Sequence, residues 1–399
     1  AYVVKVTDER RIDLSLQRRG YTQVKDSAEQ LYDAIVAAGG PLPLTDNSSP
    51  EQIQQMLYSE HGGLNEVFAD VAALTGDERH LRLAVRFSDE ELLRPLLLKQ
   101  DSLTGKHANT QIPKVIGYQR IAELMQRDDW HEAARYFWEQ VVTHRTISIG
   151  GNSVREHFHP AEDFSSMLTS EQGPETCNTY NMLRLTKLLY EAEGDARYID
   201  YYERALYNHI LSTQHPETGG LVYFTPMRAG HYRVYSQPYT SFWCCVGSGL
   251  ENHARYGEMI YAEQGSTLTV NLFIPSEAQW EQGRIEQQTR FPEEEATTLI
   301  IYPSTEQATF SLRLRIPAWC SEPALTLNGK RQPLRIRNGY LTLRRKWQEG
   351  DRVTLQLPMQ LAAEQLPDGS ANYSFSYGPI VLAAALSEEG QTGLFADES

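Results

Sequence analysis

The hydrophobic pattern of this 399-residue chain changes its period once, near residue 266. Upstream, apolar side chains recur every three to four residues, as at Leu64, Val67 and Val71, and this spacing places them on one face of a helix. Downstream, apolar and polar residues alternate, as in the run 310–316, which is the pattern of a strand with one buried face. The chain is therefore predicted to form helices first and a β-structure afterwards.

Short polar turns that contain aspartate interrupt the helical pattern three times, at Gly76-Asp77, Asp128-Asp129 and Gly194-Asp195. Helical hairpins that repeat at intervals of about 50–70 residues are typical of a toroid or solenoid of antiparallel helix pairs. We therefore predict an α+β multidomain chain, with an (α/α) helical barrel or partial toroid followed by an antiparallel β-sandwich. The predicted bounds are an unassigned N-terminal segment at 1–50, the helical domain at 51–265 and the β-sandwich at 266–399.

Composition excludes several classes of partner. The net charge of -15 disfavours nucleic acid and anionic membranes as partners, and no apolar run is long enough to span a membrane. Hydrophobic residues make up 41% of the chain, which is the content of a folded globular protein. No signal peptide is visible at Ala1, which leaves the compartment open; we expect a secreted or periplasmic location rather than a cytoplasmic one.

Three of the four cysteines, together with one glutamate, form the best chemical lead in the chain. Cys244 and Cys245 are adjacent and therefore poor disulfide partners for each other, while Glu175 and Cys177 lie in a Glu-x-Cys motif upstream. These four side chains match the tetrahedral ligand set of a soft divalent metal. The alternatives are a purely structural zinc and no metal at all, with the thiols buried as small apolar groups. We interpret Cys320 as a core thiol.

A glycine-rich loop from Gly150 carries a second group of titratable residues, Glu156, His157 and His159. Long irregular loops inside a helical array are usually functional or disordered, and this one leads directly into the Glu-x-Cys motif. Glu156 is accordingly either a catalytic carboxylate or an ordinary solvated one, and the two histidines are either functional or structural.

Two further histidines lie beside helix-breaking residues. His61 precedes a Gly-Gly pair, and His107 opens the run His-Ala-Asn-Thr-Gln-Ile-Pro. In a helical toroid such positions line the mouth, where they bind ligand hydroxyl groups or cap helices. We favour ligand binding for His61 and His107.

The motifs together resemble the bacterial β-L-arabinofuranosidases of glycoside hydrolase family 127 and its sister family 146. The resemblance runs from about residue 51 to residue 385. Its carriers, in chain order, are Glu60-His-Gly-Gly-Leu-Asn-Glu, His107-Ala-Asn-Thr-Gln-Ile-Pro, Gly150-Gly-Asn-Ser-Val-Arg-Glu-His-Phe, Glu175-Thr-Cys-Asn-Thr-Tyr-Asn and Phe242-Trp-Cys-Cys-Val-Gly-Ser-Gly.

This resemblance implies a role for each site residue. It implies Zn²⁺ held by Glu175, Cys177, Cys244 and Cys245, with Cys244 as the nucleophile of a retaining double displacement. Glu156 matches the acid/base, although its spacing from Glu175 varies among members of the family. Tyr223 matches a residue near the nucleophile, and the remaining substrate-binding candidates are His61, His107 and His157.

The implied activity is a glycoside hydrolase that releases β-L-arabinofuranose from plant-derived glycans, with a carbohydrate as its partner. Two alternatives remain open: a non-catalytic glycan-binding relic with a structural zinc, and a polysaccharide lyase that would depend on His, Tyr and Asn instead of Cys244.

The first fifty residues match the family less well, and fewer helical hairpins are visible than a full barrel needs. We therefore expect a shortened barrel, in which residues 1–50 cover an edge or leave an open cleft that makes the chain self-associate as a homo-oligomer.

Overall fold

The structure is a computed structural model, and it describes residues 2–3, 49–57, 62–306 and 308–385. His61 and most of the predicted segment 1–50 lie outside these ranges. The described residues contain α-helices with the following bounds: α1 Pro50–Leu57, α2 Leu64–Thr75, α3 Glu78–Arg86, α4 Glu90–Leu97, α5 Ala108–Met125, α6 Asp128–His144, α7 Ser165–Thr169, α8 Thr176–Glu193, α9 Ala196–Ala205 and α10 Cys244–Ala254. A π-helical turn, Leu206–Ile210, continues α9, and short 3-10 turns lie at Leu211–Thr213 and Tyr256–Met259.

The three predicted polar turns each join two antiparallel helices. Gly76 ends α2 in the left-handed conformation (φ 73°), and Asp77 then caps α3 by accepting a hydrogen bond from the Arg79 amide. Gly194 and Asp195 do the same between α8 and α9. The middle turn differs, because Gln126 takes the left-handed conformation after α5 (φ 54°), and Asp128 and Asp129 lie in the first turn of α6. Helical hairpins are present at all three predicted places.

The helices form the layered arrangement of an (α/α) barrel. Helices α2, α5, α8 and α10 lie side by side in that order, while α6 and α9 pack behind α5 and α8. The N-terminal ends of α5, α8 and α10 meet at one place, because His107 precedes α5, Glu175 precedes α8 and Cys244 begins α10. This end of the inner row is where the site is built.

Three β-sheets are built from strands of the C-terminal half, together with one short N-terminal strand. The strands are β1 Tyr2–Val3, β2 Tyr261–Gln264, β3 Thr267–Val270, β4 Ser276–Trp280, β5 Gly283–Thr289, β6 Ala296–Pro303, β7 Thr309–Arg315, β8 Ala324–Leu327, β9 Lys330–Arg331, β10 Ile336–Arg337, β11 Tyr340–Lys346, β12 Asp351–Gln356, β13 Leu361–Gln365, β14 Tyr373–Tyr377 and β15 Ile380–Val381. The sheet orders are β1-β4-β5-β6-β12-β8-β9, β10-β11-β7-β3-β2 and β13-β14-β15. Together with the helical barrel, these sheets confirm the predicted fold class.

Two details refine the prediction for this half. All described strand pairs are antiparallel except β3 with β7, which is parallel. Strand β3 ends at Val270, because the next amide, that of Asn271, donates to the Ile260 carbonyl. Asn328-Gly329 forms a tight hairpin turn with both residues at positive φ.

A buried ion cluster joins the two halves. Arg315 on β7 is fully buried, and its guanidinium donates to Glu203 on α9 and, over 2.6 Å, to Asp200. The Trp319 ring nitrogen donates to the other Glu203 oxygen at 2.9 Å. Asp200, Glu203, Arg315 and Trp319 are called the ion cluster below.

Candidate active site

Helix geometry brings the four predicted metal ligands together. Glu175 immediately precedes α8 and Cys177 lies in its first turn, while Cys244 and Cys245 begin α10, which packs against α8. The ligand atoms of the four residues lie within 4.8 Å of one another. They are called the acid cluster below. The N-terminus of a helix favours negative charge, so two helix ends act together on this cluster.

Three of the separations within the acid cluster fit one tetrahedral ion, and a fourth is shorter. The Cys244 and Cys245 sulfurs each lie 3.7 Å from Glu175 Oε1, and they lie 3.9 Å from each other. Zinc–oxygen bonds of ~2.0–2.2 Å and zinc–sulfur bonds of ~2.3 Å at tetrahedral angles place neighbouring ligand atoms about 3.5–3.8 Å apart. The Cys177 and Cys245 sulfurs are closer, at 3.1 Å. The other Glu175 oxygen, Oε2, is buried without a hydrogen-bond partner. A buried carboxylate oxygen without a partner is expected where the carboxylate binds a metal ion.

The protonation of the acid cluster also points to a cation. Burial, followed by the charge of Cys244, raises the pKa of Glu175 to about 8. The pKa of Cys177 is raised chiefly by its hydrogen bond with Cys244, and that of Cys245 chiefly by burial. The pKa of Cys244 is lowered because the Cys177 and Cys245 thiols donate to it. Without a bound cation, the acid cluster therefore contains one thiolate, that of Cys244. A divalent cation would deprotonate Glu175, Cys177 and Cys245 as well.

Glu156 lies at the edge of this cluster on a strained loop. Ser153, Arg155 and Glu156 all have positive φ, at 74°, 49° and 67°. Such conformations cost energy in residues other than glycine and persist where the surroundings enforce them. Here the Ala108 amide donates to the Glu156 carbonyl over 2.7 Å, which ties the loop to the start of α5. The Glu156 side chain is thereby held near the N-terminal ends of the inner helices.

Tyr223 connects Glu156 to the acid cluster. Its hydroxyl donates to Glu156 Oε1, and its backbone carbonyl lies 3.9 Å from the Cys245 sulfur. Its backbone is fixed as well, because its carbonyl accepts a hydrogen bond from the Thr176 amide at 3.0 Å. Burial and the hydrogen bond to Glu156 raise the pKa of Tyr223, so the phenol stays protonated and remains a donor.

The structure places the histidine candidates differently. His107 Nε2 lies 3.5 Å from Glu156 Oε2, and its Nδ1 accepts a hydrogen bond from the Thr110 amide, so His107 both caps α5 and faces the carboxylate. His157 has an exposed side chain whose ring lies against that of His107, with Nδ1 2.6 Å from the Arg155 carbonyl. His159 is buried and hydrogen-bonded to backbone carbonyls, which is a structural environment. Cys320 is buried in the main hydrophobic core, as predicted.

Ser248 is a site residue that the sequence analysis did not identify. Its hydroxyl lies 3.1 Å from the Cys177 sulfur, and it sits one helical turn after Cys245 on α10. Hydrogen bonds from outside a ligand set orient the ligands and tune their charge. The spacing of three residues after a cysteine on a helix is the signal that could have indicated it.

Comparison with known families identifies the ancestry of this arrangement. Residues 26–258 match the model of the β-L-arabinofuranosidase GH127 catalytic domain. The chain belongs to glycoside hydrolase family 127. Residues 267–359 match the GH127 middle domain, and residues 362–399 match a domain of unknown function. The family resemblance predicted from the five motifs is confirmed, and the match begins upstream of residue 51.

Solved structures of the family share the fold. A GH127 β-L-arabinofuranosidase from Geobacillus stearothermophilus T6 is 24% identical, with a TM-score of 0.67 over 80% of this chain and 58% of that one. Another GH127 β-arabinofuranosidase is 20% identical, with a TM-score of 0.67 over 90% and 63% of the two chains. A protein described as a glycoside hydrolase is 19% identical, with a TM-score of 0.68 over 83% and 63%. The chain thus spans about three fifths of their length.

Two searches, one of curated proteins and one for membrane-spanning helices, give negative findings. No curated protein matches the chain. Among the helices of the described ranges, none has the length and apolar character needed to cross a membrane.

Proposed function

We propose that this protein is a retaining glycoside hydrolase that releases β-L-arabinofuranose from plant-derived glycans, with Cys244 as nucleophile and Glu156 as acid/base. The observation that carries the proposal is the position of Tyr223: its hydroxyl donates to Glu156, and its carbonyl lies 3.9 Å from the sulfur of Cys245, the neighbour of Cys244. A retaining enzyme needs its nucleophile and its acid/base close together on either side of one glycosidic bond. Membership of family 127 supports the substrate class.

In the first proposed step, the Cys244 thiolate attacks the anomeric carbon while the bond from that carbon to the leaving oxygen breaks. Protonated Glu156 gives its proton to the leaving oxygen, so the aglycone departs as a neutral alcohol. The product is a sugar joined to the Cys244 sulfur. The Tyr223 hydroxyl donates to Glu156, and it thereby holds the proposed acid/base beside the cluster that contains Cys244.

In the second proposed step, Glu156 acts as a base. Its carboxylate accepts a proton from water, the water oxygen attacks the anomeric carbon, and the carbon–sulfur bond breaks. Cys244 leaves as the thiolate that began the cycle, and Glu156 is again protonated. Two inversions at one carbon give net retention of configuration.

Zn²⁺ is the proposed cofactor, with Glu175, Cys177, Cys244 and Cys245 as its holders, because three thiolates and one carboxylate are ligands that zinc prefers. When bound, it supplies positive charge that keeps the thiols deprotonated at neutral pH. His107 and Tyr223 are proposed to bind sugar hydroxyl groups from their places beside Glu156, and His157 from its exposed position. His61 is proposed for the same role from its place before α2 in the sequence.

The test is a panel of nitrophenyl furanosides and pyranosides assayed with the full chain, with and without a chelator. The expected result is turnover of the β-L-arabinofuranoside alone, with retention of configuration by NMR and loss of activity after metal removal. Glycan binding without turnover would favour a non-catalytic relic, and an unsaturated product that absorbs in the ultraviolet would identify a lyase. Either result would reject the proposal.

A further inference from the structure

The π-helical turn that follows α9 places a histidine in the interior of the protein. The turn spans Leu206–Ile210, and His209 within it is 0% exposed. A π turn widens the helix by one residue and redirects the side chains that follow, and such turns occur frequently at functional sites. His209 belongs to none of the motifs that carry the proposed chemistry.

Both ring nitrogens of His209 contact threonine hydroxyls. Nδ1 lies 2.8 Å from Thr179 Oγ1, and Nε2 lies 3.2 Å from Thr225 Oγ1. A neutral imidazole has one donor nitrogen and one acceptor nitrogen, and a hydroxyl can meet either. Burial lowers the pKa of His209 to about 3, so the ring is neutral at physiological pH and both contacts are complete hydrogen bonds.

The two threonines belong to the segments that carry the acid cluster and its connecting tyrosine. Thr179 lies on α8 one turn after Glu175, and Thr225 lies two residues after Tyr223. These segments also bond to each other through their backbones, since the Thr225 amide donates to the Pro174 carbonyl at 2.9 Å. His209 therefore connects the two segments through its contacts with Thr179 and Thr225.

The loop that carries Glu156 begins against the same ring. A Cβ atom at Gly151 would lie 2.6 Å from Pro174 Cβ and 3.1 Å from His209 Nδ1, so the backbone passes too close for any side chain there. Gly150, with φ 87°, would meet the Ala205 backbone of α9 at 2.6 Å. The segments that bear Glu156, Glu175 and Tyr223 thus all converge on the π turn.

We propose that His209 is a positioning residue that holds Tyr223 against Glu156, acting through its hydrogen bond to Thr225. This inference rests on the proposed function, because it assigns Glu156 the proton transfer to the leaving oxygen. The hydroxyl of Thr225 is the link that can be removed with little change of shape. Valine at position 225 keeps the branched side chain and removes the hydrogen bond, while serine keeps the hydroxyl.

The experiment compares Thr225→Val with Thr225→Ser on two β-L-arabinofuranosides, one with a nitrophenol leaving group and one with an alkyl alcohol. Displacing Tyr223 disturbs the proton transfer, and misplacement by about 1 Å can cost about 10²-fold. We expect kcat/KM of Thr225→Val to fall about 10²-fold on the alkyl substrate and less than about threefold on the nitrophenyl substrate, which departs with little help from an acid. Thr225→Ser should restore most of the loss.

Equal losses on both substrates, or a serine variant no better than the valine variant, would overturn the inference, because a packing role lowers the active fraction alike for every substrate. Crystal structures of the two variants give a readout that does not depend on turnover. The Tyr223 hydroxyl should leave Glu156 in Thr225→Val and remain beside it in Thr225→Ser. If the wild-type protein hydrolyses neither substrate, the proposed function fails, and these two structures still decide whether the threonine positions Tyr223.

Discussion

The acid cluster and the ion cluster are both buried groups of acidic side chains, and they are neutralised in opposite ways. In the ion cluster, the Arg315 guanidinium bonds to Asp200 and Glu203. In the described part of the chain, the members of the acid cluster form hydrogen bonds with one another and with two further residues, Ser248 and Tyr223. One cluster carries its own cation, and the other leaves room for an external one.

The difference teaches how burial can serve structure in one place and reactivity in another. A buried carboxylate that is paired with a fixed guanidinium keeps its charge and its hydrogen bonds. Removal of either partner leaves the other buried and unpaired, so the pair serves structure. The acid cluster combines two buried thiols, Cys177 and Cys245, with one exposed thiol, Cys244, and its protonation is adjustable because no guanidinium is bonded to it in the described part of the chain. The five predictions that follow test this contrast, beginning with the largest expected effect.

Cys244→Ser should abolish turnover, with kcat reduced by more than about 10³-fold, because a hydroxyl is a far weaker nucleophile than a thiolate at neutral pH. The fold should persist, as judged by circular dichroism. A sugar trapped by a mechanism-based furanoside should be found on Cys244 by mass spectrometry of the wild-type protein. Trapping on any other residue would reject the assignment.

Glu156→Gln should lower kcat by about 10²–10⁴-fold on alkyl arabinofuranosides, since the amide cannot transfer the proton. Metal content, measured by elemental analysis, should equal that of the wild-type protein, because Glu156 is outside the acid cluster. Loss of the metal in this variant would show that the loop supports the cluster instead of the proton transfer.

Arg315→Met should destabilise the protein by about 3–5 kcal/mol, because it leaves Glu203 buried without its cation. Urea denaturation gives the free energy of unfolding. The double variant Arg315→Met/Glu203→Leu should recover most of the loss. A loss below about 1 kcal/mol in the single variant would show that the ion cluster is not self-neutralised as described.

Metal binding should release about three protons per site below pH 8, one each from Glu175, Cys177 and Cys245, whose pKa values are all raised. Metal affinity should therefore rise with pH, since binding competes with protons. A hundredfold excess of metal over Kd should stabilise the fold by about 2.7 kcal/mol. Calorimetry in two buffers of different ionisation enthalpy counts the protons, and a count near zero would contradict the protonation described here.

Cys320→Ala should change stability by only about 1 kcal/mol and leave the metal stoichiometry intact, because Cys320 is a core thiol outside the acid cluster. Cys177→Ala is the matched variant inside the cluster and should lower metal affinity. Equal metal content in both variants would show that Cys177 is not a ligand.

Much of the fold could be predicted from local chemistry. The Gly-Asp turns specify where α2 ends and α3 begins, and Asn328-Gly329 specifies a tight hairpin, because these residues tolerate the required backbone angles. The parallel pairing of β3 with β7 could not be predicted, since strand partners distant in sequence leave no local pattern.

The acid cluster could be predicted because its residue types are rare and chemically specific. The place of Tyr223 near the nucleophile came only from the family resemblance, and its hydrogen bond to Glu156 came only from the structure, since these residues lie far apart in sequence. The role of His209 could not be predicted, because a buried histidine in a helix has no distinctive sequence pattern. Its position also depends on a π turn, for which the sequence carries no signal.

The change from helices to strands near residue 266 is a boundary in secondary structure but not in cooperativity. One hydrophobic core includes Tyr190 and Ile199 from the helices as well as Leu268 and Leu314 from the strands. A cut at that boundary would expose apolar surface on both pieces and leave Glu203 without Arg315. The helical part therefore depends on the strands for its stability: a segment transplanted into another protein would need β7 with it to keep Glu203 paired.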